Sequence, residues 1–458
     1  MKIALIMPGR GQIQLSAKTA KSWLPPGSLL EVAGMTSNHH EVVIYDELAQ
    51  GPLTAETLPE ADIYGLSGLS TSRFGSYRVA KLIHEKGKKV IAGGMDVTGH
   101  YDDGYAEELL QNYDAIVVGR LTSRLWERIL ADFQQDQLDR VYQVDPTEPW
   151  EFAIPRHDLV KPELYYCPAV VRSSNGCNES CAHCTVHYML GGRRILKCKS
   201  GDLLDEEFAI LPKSKYMADA SDSWGADYPH TVGVVLPRLR DSGRGWFAEA
   251  TVKNLLGIGE GRRELVTPMG KNGCLFAYIG IESLVGKVGA KSLSTAQVEE
   301  VIKRLHDAGI LVVGSFIMDV TGKETMESYK YTADWIIRNK LDFTQFSLVA
   351  ALVGSDTRRL AIRQSRLIDN NPEHYDGAWP TIEHQMSPKE RIEGLRWIYN
   401  EVYSPLNIAR RAWRLGGLRQ KPMVVIANRF IRSSIVDWEV GYDHWEKTRQ
   451  DIAGLTLT

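Results

Sequence analysis

Short apolar runs alternating with helical stretches occupy most of the chain, and few folds accommodate that alternation. Lys2 to Met7 is the first run and ends in Pro8-Gly9; others follow at Glu41 to Tyr45, Asp62 to Leu66, Lys89 to Ala92 and Asp114 to Val118. Helical patterns lie between them, most clearly Ser76 to Lys86. This order predicts an α/β domain over residues 1–135, a parallel, doubly wound, Rossmann-like sheet whose ligand crevice lies at the carboxyl ends of its strands. Residues 136–168 carry Pro146, Pro149, Pro155 and Pro162 among charges and aromatics, and read as a linker packed on the surface. From Ala169 six further strand-helix units follow, built on AVVRSS, KYMADA, GWFAEAT, CLFAYIGIES, ILVVGSFIMDV and FTQFSLVAAL. Helical patterns among them include Thr295 to Ala308, with Ser294 as its N-cap, and Glu324 to Arg338. Six units are too few for the usual eight-stranded barrel, and a helical C-terminal extension is expected over 356–458. By the logic of full barrels, chemistry belongs at the strands' C-terminal mouth.

Just after the first strand of this second series stands Cys177-Asn178-Glu179-Ser180-Cys181-Ala182-His183-Cys184. Three thiolates this close can hold one metal centre. Iron-sulfur clusters commonly use four Cys, so a 4Fe-4S cluster on three leaves one iron open. The other reading is a structural zinc completed by His183, Cys198 or a more distant ligand. Cys198 and Cys274 read most simply as structural thiols. The C-x3-C-x2-C spacing resembles the signature of the radical S-adenosylmethionine (SAM) superfamily. That resemblance implies that the open iron chelates the amine and carboxylate of SAM, and that an electron donor partner reduces the cluster. SAM is then cleaved to methionine and a 5′-deoxyadenosyl radical. It also implies that residues 169–355 form an open, partial (β/α)6 barrel.

Composition sets bounds on partners. A chain of 458 residues with 43% apolar and 24% charged residues can bury two or three cores without disulfides. A net charge of −3 gives no footprint for nucleic acid or an acidic membrane. The opening MKIALIMPGRGQ is too short an apolar run for a signal peptide, and no stretch approaches a membrane span. Six cysteines, three of them within eight residues, suit a cytosolic metal site. A cytoplasmic enzyme with neither nucleic-acid nor membrane partners is expected.

The N-terminal stretches HHEVVIYDE and ADIYGLSGLSTS, with Gly93-Gly94 before MDVTGH, resemble the cobalamin-binding domain of one radical SAM class. That class often carries D-x-H-x-x-G, whose His ligates cobalt, and no histidine before residue 150 stands in such a motif. Relatives lacking it still bind the cofactor. Cobalamin is therefore possible but not favoured, and the domain is read as a scaffold or substrate lid.

Gly280-Ile281-Glu282-Ser283 resembles the family's GIES at the end of the fourth barrel strand, which implies that Glu282 and Ser283 face the SAM ribose. His183 stands where relatives carry an aromatic beside the adenine, which implies a SAM contact. GSFIMDVTGKET resembles G-x-F-I-x-G-x-P-G-E-T, with Asp319 in place of Gly and Thr321 in place of Pro. A carboxylate there points to substrate recognition or to a solvated loop Asp.

On the second barrel strand, Lys213, Tyr216, Asp219 and Asp222 stand in PKSKYMADASDSW. Alternation places Ala218 on the face of Tyr216, and Lys215, Met217 and Asp219 on the other. With the domain order and length, these groups resemble the radical SAM diol dehydratases of aminoglycoside biosynthesis, which act on paromamine. The resemblance implies hydrogen abstraction from C4′ of an aminosugar and loss of the C3′ hydroxyl. The 4′-keto-3′-deoxy product would pass to a separate NADPH-dependent reductase. Tyr216 and Lys213 are the expected proton or hydrogen transfer residues. Asp219, Asp222, Glu249 and Asp319, at predicted strand ends, are the expected binders of the substrate's ammonium groups. The alternative is a cobalamin-dependent radical SAM methyltransferase.

Overall fold

The structure, a computed structural model, describes residues 1–10, 21–148, 151–285, 293–414, 424–425, 427–429, 431–432 and 441–449. Six strands build the first sheet: β1 (Lys2–Met7), β2 (Glu41–Asp46), β3 (Ile63–Ser67), β4 (Lys89–Gly93), β5 (Ala115–Val118) and β6 (Val141–Gln143). They pair in parallel in the order β2-β1-β3-β4-β5-β6. Alternation along β1 buries both faces: Ala4 and Ile6 pack with Val79 and Ile83, Ile3 and Leu5 with Trp126 and Ile129. The chain order reverses at β1, which lies between β2 and β3, and a doubly wound sheet opens its ligand crevice at such a point.

The domain boundary expected from the sequence is corrected here. β6 pairs with β5 within the span read as linker, so the first domain runs past residue 135. Three residues on an edge are too few to show a period. Further along that span, Ala153, Leu159, Val160 and Tyr165 pack on the first domain, and the Tyr165 hydroxyl donates to Asp46.

The second sheet comprises β7 (Ala169–Val171), β10 (Tyr216–Trp224), β11 (Gly245–Thr251), β12 (Cys274–Glu282), β13 (Leu311–Ile317) and β14 (Phe343–Ser347). All pairs are parallel in the order β14-β13-β12-β11-β10-β7, and β7 and β14 are edges, so the barrel is open. Outward residues such as Trp246, Ala248, Ile279 and Phe316 meet a helical layer through Val301, Leu305, Trp335 and Ile336. The helix Thr295–Asp307 starts at a capping box in which Ser294 and Gln297 bond each other's backbone N–H. Between β7 and β10, β8 (Ser174–Gly176) and β9 (Leu196–Cys198) form an antiparallel ribbon.

The helix Pro388–Val402 covers the β14 edge. The Tyr399 hydroxyl accepts from Phe346 N–H and donates to Phe346 C=O, and Tyr403 does the same at Thr344. Two phenols thus satisfy an edge that would otherwise pair with another chain. Val424 packs on Leu311, Phe276 and Phe343 at the amino ends of the strands, so the C-terminal extension closes the barrel floor.

Candidate active site

The three cysteines lie on the loop that joins β8 to β9, and the ribbon pins both ends of that loop. All three are half-buried. Cys184 N–H donates to Cys181 C=O at 3.1 Å, and Glu179 N–H to the Cys177 sulfur at 3.4 Å. Glu179, the one acid of the loop, is held by Lys253 and Arg262 at 3.4 and 3.3 Å. Thr357 N–H donates to Ala182 C=O, tying the loop to the start of the helix Asp356–Arg363. Cys198 faces Ser174 in the ribbon, and burial followed by Asp227 and Asp219 pushes its thiol up to about 11. A thiol so disfavoured as thiolate fits a structural role, and three soft donors on one loop fit a cluster with an open position.

Beside the loop is a cavity of about 480 Å³ lined by Cys181, His183, Glu282, Asp356, Arg363 and His384. Glu282 ends β12 at a register shift against β13 and has φ of 67°, a rare conformation for a residue with a Cβ. Bulges commonly re-aim a side chain in this way. Glu282 and His183 thus line one cavity. Ser283 does not: its hydroxyl donates to Val285 C=O and accepts from Val285 N–H, closing a local turn.

Three other expectations are corrected. Asp219 is 1% exposed and faces outward from the barrel; it accepts from the Ser173 and Ser221 hydroxyls, both of their N–H groups and the Trp224 indole. Its carboxylate is a structural hub, not a substrate ligand. Asp319 is buried against Arg391 and accepts from Val349 N–H at 2.5 Å. It lines the same cavity as Glu282, but Arg391 and Val349 N–H engage both its oxygens, so it clamps the fifth strand's loop to the C-terminal extension. Tyr216 opens β10 and pairs with Gly245 at the amino ends of the strands, and Lys213 lies in the loop before it. Both are at the end of the barrel opposite the cysteine loop, which removes the geometry a proton transfer role requires.

Asp222 and Glu249 are exposed on the inward face. Asp222 accepts from Gly176 N–H at 2.7 Å, beside the loop's start.

A larger cavity, about 670 Å³, opens at the carboxyl ends of the first sheet. Gly68, Gly94 and Gly119 rim it from that sheet, and Arg172, Met189 and Asp222 from the second domain. Leu66, Ile91 and Trp126 make its wall apolar. Gly94 has φ of 95°, and a Cβ there would come within 2.5 Å of the Ser67 hydroxyl, so the rim is bare backbone by requirement. No imidazole is among the described lining residues. Arg120 N–H donates to Met189 C=O and its guanidinium pairs with Glu31 at 2.5 Å. The cavity was hidden from sequence reading because its walls come from segments more than 100 residues apart.

No known family model matches the chain. Over 408 residues, 84% of each chain, it is 23% identical to bacteriochlorophyllide d C-12(1)-methyltransferase of Chlorobaculum tepidum. Among solved structures it superposes on the radical SAM methyltransferase TsrM of Kitasatospora setae, seen with cobalamin and a 4Fe-4S cluster, with a TM-score of 0.64 at 11% identity. That match covers 94% of this chain and 99% of TsrM. The cobalamin-dependent SAM radical enzyme OxsB gives a TM-score of 0.63 at 12% identity, over 95% of this chain and 71% of OxsB. The doubly wound domain, the open six-stranded barrel and their arrangement give this chain the fold of the cobalamin-dependent radical SAM proteins TsrM and OxsB.

Proposed function

We propose that the chain is a radical SAM enzyme that carries cobalamin in its first domain and transfers a methyl group to a small molecule held in the barrel. The observation that carries this reading is the 670 Å³ cavity, whose walls come from the first sheet's ligand crevice on one side and the barrel mouth on the other. The methyltransferase named for the curated relative, and TsrM with its cobalamin, lend support. When bound, the cluster and SAM supply radical chemistry and cobalamin a methyl carrier. Cys177, Cys181 and Cys184 would hold the cluster, and Glu282 and His183 would contact SAM in the neighbouring cavity. The Gly68, Gly94 and Gly119 turns, with Met189 and Arg172, would hold the corrin. This reading gives the first domain a cofactor where the missing D-x-H-x-x-G motif argued for a scaffold. A backbone cradle needs no such motif.

One observation favours a second reading, dehydration of an aminosugar diol: Asp222 and Glu249 line the barrel and suit an ammonium-bearing substrate. That reading now lacks Tyr216 and Lys213 as its acid and base. The test is anaerobic reconstitution with iron, sulfide and cobalamin, followed by reaction with SAM, reductant and a metabolite extract. Retained corrinoid and a product heavier by one methylene support methyl transfer. A paromamine product lighter by one water, formed without corrinoid, establishes the second reading, and failure to retain corrinoid overturns the first.

A further inference from the structure

The inward faces of the barrel strands differ sharply from their outward ones. Alternation turns Phe247, Glu249 and Thr251 of β11 inward, with Phe276, Tyr278 and Gly280 of β12, Val313 and Ser315 of β13, and Phe343 and Gln345 of β14. The floor is apolar: Phe247 and Phe276 stack with centroids 4.3 Å apart and planes 15° apart, beside Phe343. Directly above it the register sets Glu249 beside Tyr278, and Ser315 beside Gln345. Glu249 and Gln345 are exposed in mid-strand, which marks an open lumen at that level.

The polar groups there are oriented by one another. The Tyr278 hydroxyl donates to Gln345 Oε1 at 2.7 Å. Burial, with Glu249 and Glu282 nearby, pushes the phenol up to about 12, so it remains a donor at neutral pH. With Oε1 accepting from Tyr278, the NH2 group of the exposed Gln345 is the end of the amide that can donate to a ligand. The charged residues on the inward positions of β10 to β14 are Asp222 and Glu249, both acids, and Glu282 adds a third beyond the register shift at the mouth.

We infer that Glu249, with Gln345 oriented by Tyr278, selects a substrate that carries a protonated amine beside a hydrogen-bond acceptor. The amine rests on the Glu249 carboxylate and the acceptor on the Gln345 NH2 group, above the aromatic floor. This rests on the proposal that the lumen is the substrate chamber, and it is independent of whether methyl transfer or dehydration follows.

The test uses one ring in three charge states. Glucosamine, glucose and glucuronate are titrated against cluster-loaded, corrinoid-loaded protein with SAM, and binding is read by ligand-observed NMR. Glucosamine is expected to bind about ten-fold more tightly than glucose, and glucuronate less tightly than either. Glu249→Gln is expected to remove most of that preference, and Glu249→Asp to keep part of it. Iron, sulfide and corrinoid contents are measured on the same samples; their loss in the wild type is a failure of the proposed function, not of this inference. Equal binding or no binding of the three sugars by loaded wild-type protein overturns the inference, as does an unchanged preference in Glu249→Gln.

Discussion

Asp219 commits both carboxylate oxygens to five donors from Ser173, Ser221 and Trp224, and burial raises its pKa despite them. These bonds join β10 to the turn that leads into the cysteine loop. Asp219→Ala leaves buried hydroxyls and an indole N–H unpaired and is expected to cost about 3 kcal/mol, read as a lower denaturation midpoint. Tyr216→Phe and Lys213→Ala, at the other end of the barrel, are expected to leave SAM cleavage unchanged; a drop in deoxyadenosine yield would return them to the site. At the loop itself, replacing any one of Cys177, Cys181 or Cys184 by Ala is expected to abolish deoxyadenosine formation. Iron and sulfide content should fall with it. Unchanged yield in any of the three would remove that thiol from the cluster.

The helix Met95–Asp102 starts at the cavity rim, on Gly94, and its first turn is fixed by Asp96. Asp96 takes a bidentate pair from Arg73 at 2.9 and 2.6 Å, buried between this helix and Arg73–Glu85. Burial raises the carboxyl pKa, but the charge and hydrogen bonds of Arg73 outweigh it and hold Asp96 below the usual range. The pair's stabilisation is therefore present above the unfolded value, about 3.9, and lost as pH falls through the depressed folded value. Asp96→Asn is expected to cost roughly 3 kcal/mol at neutral pH and to flatten the acid limb of the stability profile, checked by denaturant melts across pH. At this scale most strands were legible because short apolar runs between turns admit few alternatives. β1 matches its expected bounds, and the helices begin within three residues of expectation. β6 escaped because VYQ has no period. Asp219 and Asp319 were misassigned because strand-end position was read as exposure; the face each occupies depends on the Ser173 and Arg391 partners brought in from elsewhere.

Neither cavity is visible in any one segment, since each joins side chains that only the fold brings together. A buried ion cluster ties the first domain to the start of the C-terminal extension. Asp103, after the helix Met95–Asp102, takes Arg358 at 3.1 Å, Arg359 at 3.4 Å and the Gly354 N–H at 3.0 Å. Arg358 also donates to the Tyr375 hydroxyl and to Asn370, and Arg10 reaches Asp376 at 2.8 Å. Close backbone packing accompanies the charges: a Cβ on Gly99 would lie 2.5 Å from Val353 C=O. This clamp sits on the helix that begins at the large cavity's rim. Losing it should therefore loosen that cavity before it touches the thiols. Asp103→Asn keeps the shape but leaves Arg358 without its carboxylate, a cost of about 3 kcal/mol for a buried pair. The expected outcome is faster corrinoid release, by roughly ten-fold, and faster cleavage by a protease in the segment between the sheets. Iron and sulfide content stay at wild-type levels, because Thr357 N–H and the ribbon still hold the cysteine loop. Equal loss of corrinoid and iron would mean that the two sites share one support; unchanged corrinoid release would mean that the clamp does not shape the cavity.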